Sequence, residues 1–227
     1  MAHYLTALGE PVRVIRGDEG RASSTETVEA VKRADIVCAA IPDDKLDVWR
    51  RQWSDAIGDS PAVHFSGALS IDGMAGFHPL YSFPTTLLDV AQMRNIAFAC
   101  PSDGPSFKTI FPSAPNPTFM LHDADRPYYH ALAVLSGNLA GFVWNETAAA
   151  FKEDFSAAPA EVLRHYFASL VDRFEENPEN SFTGPVARKD ESTVTANLLA
   201  LKSRPDLVNL YKAFLAAAWP EYLDKKR

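Results

Sequence analysis

The feature that most constrains the fold is the stretch from residue 61 to residue 84, PAVHFSGALSIDGMAGFHPLYSFP, where two short apolar runs each end in small or ring-constrained residues. Ala62 to Phe65 opens after Pro61 and stops at Ser66-Gly67, the pattern of a buried strand meeting a tight turn. Gly76 to Leu80 repeats it. His78-Pro79 then fixes the direction of the exit, because a residue before proline is driven into extended conformation. Open α/β sheets bind ligands just beyond such carboxyl ends, so a ligand site is expected here.

The surrounding pattern alternates. His3 to Leu8 with Gly9 predicts the end of a helix, and Val12 to Ile15 a strand. Ser23 with Glu26 forms a capping box for a helix through Arg33, followed by ADIVCAAIP, a run apolar enough for a parallel strand covered on both faces. Asp43 or Asp44 is expected to cap a helix carrying Leu46, Trp49, Trp53 and Ile57 at helical spacing. Asn95 to Ala99 and Thr118 to Leu121 are further strands, with a short helix near Phe107 to Phe111. From Asp123 onward only helices are expected. One runs from Asp125-Pro127 to about Glu153, with Gly137 and Gly141 on one face, and one from Ser156 and Pro159 to Asn177-Pro178. Asp190 caps another, and Arg204-Pro205 opens the last. The boundaries that follow are an α/β domain over residues 1–123 and an all-helical domain over residues 124–227.

Charge and cysteine usage narrow the function. Asp and Glu number 29 against 22 Lys and Arg, and a net charge of −7 argues against a nucleic-acid partner, which needs a basic face. There is no signal segment and no run of about 18 apolar residues, so neither secretion nor membrane spanning is expected. Cys38 and Cys100 lie in strand-like runs without CxxC spacing and read as reduced small hydrophobes, which suits the cytoplasm.

Five segments, DIVCAAIPDDKL, HFSGALS, GFHPLYSF, YYHALAVLSGNLAGFV and SFTGPVARKDESTV, together resemble an uncharacterised Rossmann-like family related to pyrroline-5-carboxylate reductase and 6-phosphogluconate dehydrogenase. The resemblance spans nearly the whole chain. It implies a Rossmann-like domain followed by a 6-phosphogluconate dehydrogenase-like helical domain of unknown function. It also implies an NAD(P)-dependent oxidoreductase-like protein, dimeric through its helical half. The chain departs from the pattern at its start, because the first strand and the GxGxxG turn that cradles a pyrophosphate are missing. Two resolutions are open, that Val12 to Ile15 pairs directly with Ile36 to Ile41 or that the true chain begins further upstream, and direct pairing is the one expected.

Candidate site residues follow. Ile41, Pro42 and Asp43 end a strand where, by the resemblance, a cofactor ribose would pass, and serve equally well as strand terminator and helix cap. Ser66 and Gly67 end a strand at the presumed switch point. Arg16 would favour NADP over NAD by meeting a 2′-phosphate, unless it is simply a solvated surface residue. His78 is the candidate acid, base or orienting donor, its imidazole being able to change charge near neutral pH, with a packed, singly hydrogen-bonded histidine as the other reading. Asn138 and Asn145, seven apart and so nearly on one helical face, could hold a substrate carbonyl or carboxylate. His130, seven before Gly137, shares its face as a further candidate, and a helix-packing histidine explains it equally well. Thr183 and Arg188 belong to the loop NSFTGPVARKD, where Arg188 either clamps an anion or pairs with Asp190. No metal-ligand spacing is present. Two functions emerge: an oxidoreductase acting on a small polar substrate held between the domains, or a degenerate relative serving as a small-ligand-binding or dimeric scaffold.

Overall fold

The structure, a computed structural model, describes residues 1–16, 24–156 and 158–225. The chain forms two compact units, Met1–Gly137 and Asn138–Arg227. The first is α/β and Rossmann-like; the second is all helical.

In the first unit α1 (Ala2–Ala7), α2 (Thr25–Lys32), α3 (Asp43–Gln52), α4 (Ser54–Ile57), α5 (Val90–Arg94), α6 (Phe107–Ile110) and α7 (Arg126–Ala133) accompany six short strands among the described residues. These are β1 (Val37–Ala39), β2 (Ala62–His64), β3 (Ala75–Gly76), β4 (His78–Pro79), β5 (Phe98–Pro101) and β6 (Thr118–Leu121). They pair as β1-β2-β3, all parallel, and as β4-β5-β6, with β4 antiparallel to β5 and β6 parallel to it. Only Phe77 separates β3 from β4, and its amide donates to the carbonyl of His64 at 2.9 Å, so one extended segment serves both sheets. Phe77 is fully buried among Val63, Phe98, Phe107, Ile110 and Phe111. A second cluster, Val31, Val37, Trp53, Ile57 and Ala62, seats α2 and α4 against β1 and β2.

Several sequence expectations are corrected at the start of the chain. Val12 to Ile15 form no strand; Val12, Val14 and Ile15 are exposed and irregular, and β1 pairs with β2 rather than with them. β1 is also not covered on both faces, since Val37 and Ala39 are buried while Cys38 between them is exposed. Ser24, not Ser23, caps α2, accepting from the Thr27 amide at 3.2 Å; Ser23 lies outside the described residues. Neither Asp43 nor Asp44 caps α3, whose N-cap is Pro42 with no side-chain cap.

The expected single helix beyond Asp125 is divided. α7 gives way to a π-helical stretch, Val134–Leu139, before α8 (Ala140–Phe155). Ser136 Oγ donates back to the carbonyls of Leu132 and Ala133 at 2.9 and 3.3 Å, a competing bond that bends helices, and Gly137 follows directly.

The second unit holds α8, α9 (Pro159–Glu176), α10 (Glu191–Ala200), α11 (Pro205–Ala218) and α12 (Pro220–Asp224). Its core is Val186, Val194, Leu215, Trp219 and Tyr222. Asp190 caps α10 as expected, and bonds from Thr193 and Ser192 pull its carboxyl down to about 2. Arg204, one residue before α11, grips Glu153 and Asp154 of α8 at 2.7 and 2.8 Å. No helix among the described residues is long and apolar enough to cross a membrane.

Candidate functional site

Strand alternation sorts the residues of the α/β unit. Val63 and Phe77 point into the core, so His64, Gly76 and His78 take the opposite face, with His64 in register beside Gly76. The first turns of α7 meet that face. Arg126, Tyr129 and His130 stand at i, i+3 and i+4 and therefore share one side of the helix. Arg126 is completely buried; Nη2 donates to the Gly76 carbonyl at 2.6 Å and Nη1 to the Ser66 carbonyl at 3.4 Å. A Cβ at position 76 would lie 2.5 to 2.8 Å from the guanidinium, so a side chain there would push Arg126 off its carbonyl partners. Arg126 Nε also donates to Asp123 Oδ1 at 2.8 Å, and Ser70 Oγ to Asp123 Oδ2 at 2.9 Å. Burial works to raise the Asp123 carboxyl, but these two bonds outweigh it and hold it below its ordinary value.

Ser66 and Asp43 form the next layer. The Ser66 hydroxyl donates to Asp43 Oδ2 at 2.7 Å and accepts from the amides of Ala68 and Leu69 at 3.1 to 3.3 Å. Asp43 is thus spent on the tip of β2 instead of on its own helix. Ser66 is a fastener of the turn, with its hydroxyl fully engaged. Ile41 packs with Ala39, Leu46 and Ile71, and Pro42 is the exposed N-cap of α3.

Two histidines complete the face. His64 Nδ1 accepts from the Ser66 amide at 3.3 Å, and its buried Nε2 has no hydrogen-bond partner among the described residues. Burial first, then the Arg126 charge, lowers its pKa to about 4 against the pull of Asp43 and Asp123. His78 Nδ1 lies 2.7 Å from Tyr129 Oη. Its pKa is also lowered to about 4, by burial and then by His130 and Arg126, so it is neutral at physiological pH. The rings of Tyr129 and His130 meet His78 edge-on, at 5.6 and 5.9 Å between centroids. Gly67 is buried beneath them: a Cβ there would lie 2.6 Å from His130 Cδ2 and 2.9 Å from His78 Nε2. Burial raises the Tyr129 phenol, which stays protonated.

The structure therefore brings Asp43, Ser66, Gly67 and His78 together in one unit. Asn138 and Asn145, both exposed, belong to the helical unit, as do Thr183, which accepts from Arg173 at 2.8 Å, and the exposed Arg188. Arg16 is exposed. Sequence reasoning passed over Arg126 and Tyr129. The signal was RPYYH, where a helix start places an arginine, a tyrosine and a histidine on one side, but nothing in the residue types says which strand tips that side meets.

Could these residues hold a dinucleotide? Asp43 keeps one carboxylate oxygen without a partner among the described residues, as a ribose hydroxyl requires, and His78 Nε2 lies at a strand tip. The start of α3 is not a phosphate cradle, because Asp43 and Asp44 oppose a phosphate at that helix start. The given sequence contains no GxGxxG.

The fold defines a class, an α/β Rossmann-like unit followed by a helical unit. Residues 99–218, just over half of the chain, match the family described as a domain of unknown function, DUF2520. The chain belongs to the DUF2520 family. Among solved structures it is similar to a protein from Bacteroides fragilis described as a candidate NADP oxidoreductase, at 18% identity and TM-score 0.71, covering 96% of this chain and 92% of that one. It is similar to protein TM1727 from Thermotoga maritima, at 21% identity and TM-score 0.65 over 84% of this chain and 79% of that one. It is also similar to pyrroline carboxylate reductase from Plasmodium falciparum, solved with NADP bound, at 11% identity and TM-score 0.57 over 99% and 90%. No curated protein matches the sequence.

Proposed function

We propose that the chain is an NAD(P)-dependent oxidoreductase acting on a small polar substrate, with NADP favoured over NAD. The observation that carries this reading is the convergence of Asp43, Gly67, His78, Tyr129 and His130 at the ends of β2 to β4, where ligands of open α/β sheets bind. A bound nicotinamide would supply the hydride. The chain's part is to hold the ribose edge at Asp43 and to present a neutral imidazole, His78, to a reacting oxygen. Asn138, Asn145, Thr183 and Arg188 are the proposed further contacts to substrate. The unpaired Cys38 and Cys100 suit a reducing compartment such as the cytoplasm. NADPH titrated against the purified chain, followed by nicotinamide fluorescence, is expected to saturate at or below about 1 mM, the upper end of ordinary substrate affinities. No binding of NADPH or NADH in that range rejects the reading. It would favour the second one, a non-catalytic small-ligand-binding or scaffold protein.

Dimerisation through the helical unit is part of the proposal. α8 buries none of its sixteen residues, and Phe142, Phe155, Tyr166, Val171 and Phe174 on α8 and α9 are each at least half exposed. Helices of that length need an apolar face covered. Light scattering should return a dimer, and Phe174→Glu with Tyr166→Glu should shift it toward the monomer. A monomeric wild type would remove this part.

A further inference from the structure

His78 has two ring nitrogens in different settings. Nδ1 faces the Tyr129 hydroxyl at 2.7 Å, whereas Nε2 lies against the bare Cα of Gly67 and has no hydrogen bond among the described residues. His78 as a residue is half-buried, whereas His64 is buried, with its Nε2 without a partner among the described residues. Which nitrogen carries the proton follows from what the other one bonds. A phenol is a better donor than a neutral imidazole N–H, and an imidazole nitrogen is a better acceptor than a phenolic oxygen, so the stronger arrangement has Tyr129 donating to Nδ1.

We infer that Tyr129 is a positioning residue that holds His78 as the Nε2–H tautomer, so that the strand-tip side of the ring is a neutral hydrogen-bond donor aimed at an acceptor oxygen of the substrate. The ring has little freedom to present the other nitrogen. Tyr129 and His130 close on it edge-on from α7, at interplanar angles of 78° each, and Gly67 supports it from the turn after β2. The charged and titratable groups around it are Tyr129, His130 and Arg126 from α7 and Asp43 from the start of α3. No carboxylate bonds to either ring nitrogen among the described residues, so nothing competes with the phenol for Nδ1.

This deepens the proposed oxidoreductase reading, in which a neutral Nε2–H would polarise an acceptor oxygen of the substrate by hydrogen bonding while keeping its proton. The tautomer itself requires no ligand, so its failure and the failure of nicotinamide binding are separate results. The test is nitrogen-15 NMR of the full chain labelled at histidine, with His78 assigned by its loss in His78→Gln. The wild type at neutral pH is expected to show a single Nε2–H tautomer. Tyr129→Phe should give a mixture of tautomers and raise the His78 pKa by about half to one pH unit, because the bond that favours the neutral ring is lost. An Nδ1–H signal in the wild type overturns the inference. So does a folded Tyr129→Phe chain with an unchanged tautomer and pKa. Should that variant not fold, the wild-type spectrum decides alone.

Discussion

Replacing Arg126 by methionine is expected to cost the α/β unit about 3 to 5 kcal/mol, the usual loss when one partner of a buried charged network is removed. The methionine fills much of the space, yet it leaves the carbonyls of Gly76 and Ser66 without their buried donor and Asp123 without its main partner. Each unmet buried acceptor costs about 1 to 3 kcal/mol by itself. For a chain of this size a loss in that range lowers the melting temperature by roughly 10 °C. Arg126→Lys should fall between, since one ammonium cannot reach three acceptors with the geometry of a planar fork. Denaturant unfolding of both variants checks the order. A methionine variant within about 1 kcal/mol of wild type would show that the guanidinium is not what ties α7 to the strand ends.

The second large effect is on pH. His64 and His78 titrate near 4 in the folded chain against an ordinary value of 6.5. Between those values the unfolded chain holds protons that the folded chain lacks, so stability is full above about pH 6.5 and falls as pH drops toward 4. At about 1.4 kcal/mol per pH unit, the fully buried His64 accounts for a loss on the order of 3 kcal/mol, and the partly exposed His78 for less. Asp123 works in the same direction but only at lower pH, because its carboxyl is held below the ordinary carboxylate value. Denaturation midpoints at pH 7 and pH 4.5 should therefore differ clearly in the wild type. His64→Asn keeps an acceptor for the Ser66 amide and removes the titration, so it should flatten much of that difference. An equal slope in the variant would assign the acid sensitivity to other groups.

Much of this architecture was legible in the sequence, for identifiable reasons. The tip of β2 was marked by Ser66-Gly67, and the switch to helices after Asp123 by the change of apolar period, because both are local signals. What the residues could not disclose was competition between partners. Asp43 has the position and chemistry of a helix cap, but a serine from another element, 23 residues away, claims its carboxylate. Val12 to Ile15 has the composition of a strand and no neighbour to pair with, and composition alone does not form a ladder. Arg126 looked like an ordinary first-turn residue. Its burial depends on two glycine-bearing strand ends that only the folded chain brings beneath it.

The segment from Ala75 to Pro79 is shared by two sheets, and its side chains alternate between core and cluster. Insertion or loss of one residue there would therefore exchange the two populations: an aromatic ring would be delivered toward Arg126 and an imidazole into the hydrocarbon interior. The length of that segment is consequently under as strict a constraint as the identity of any residue in it.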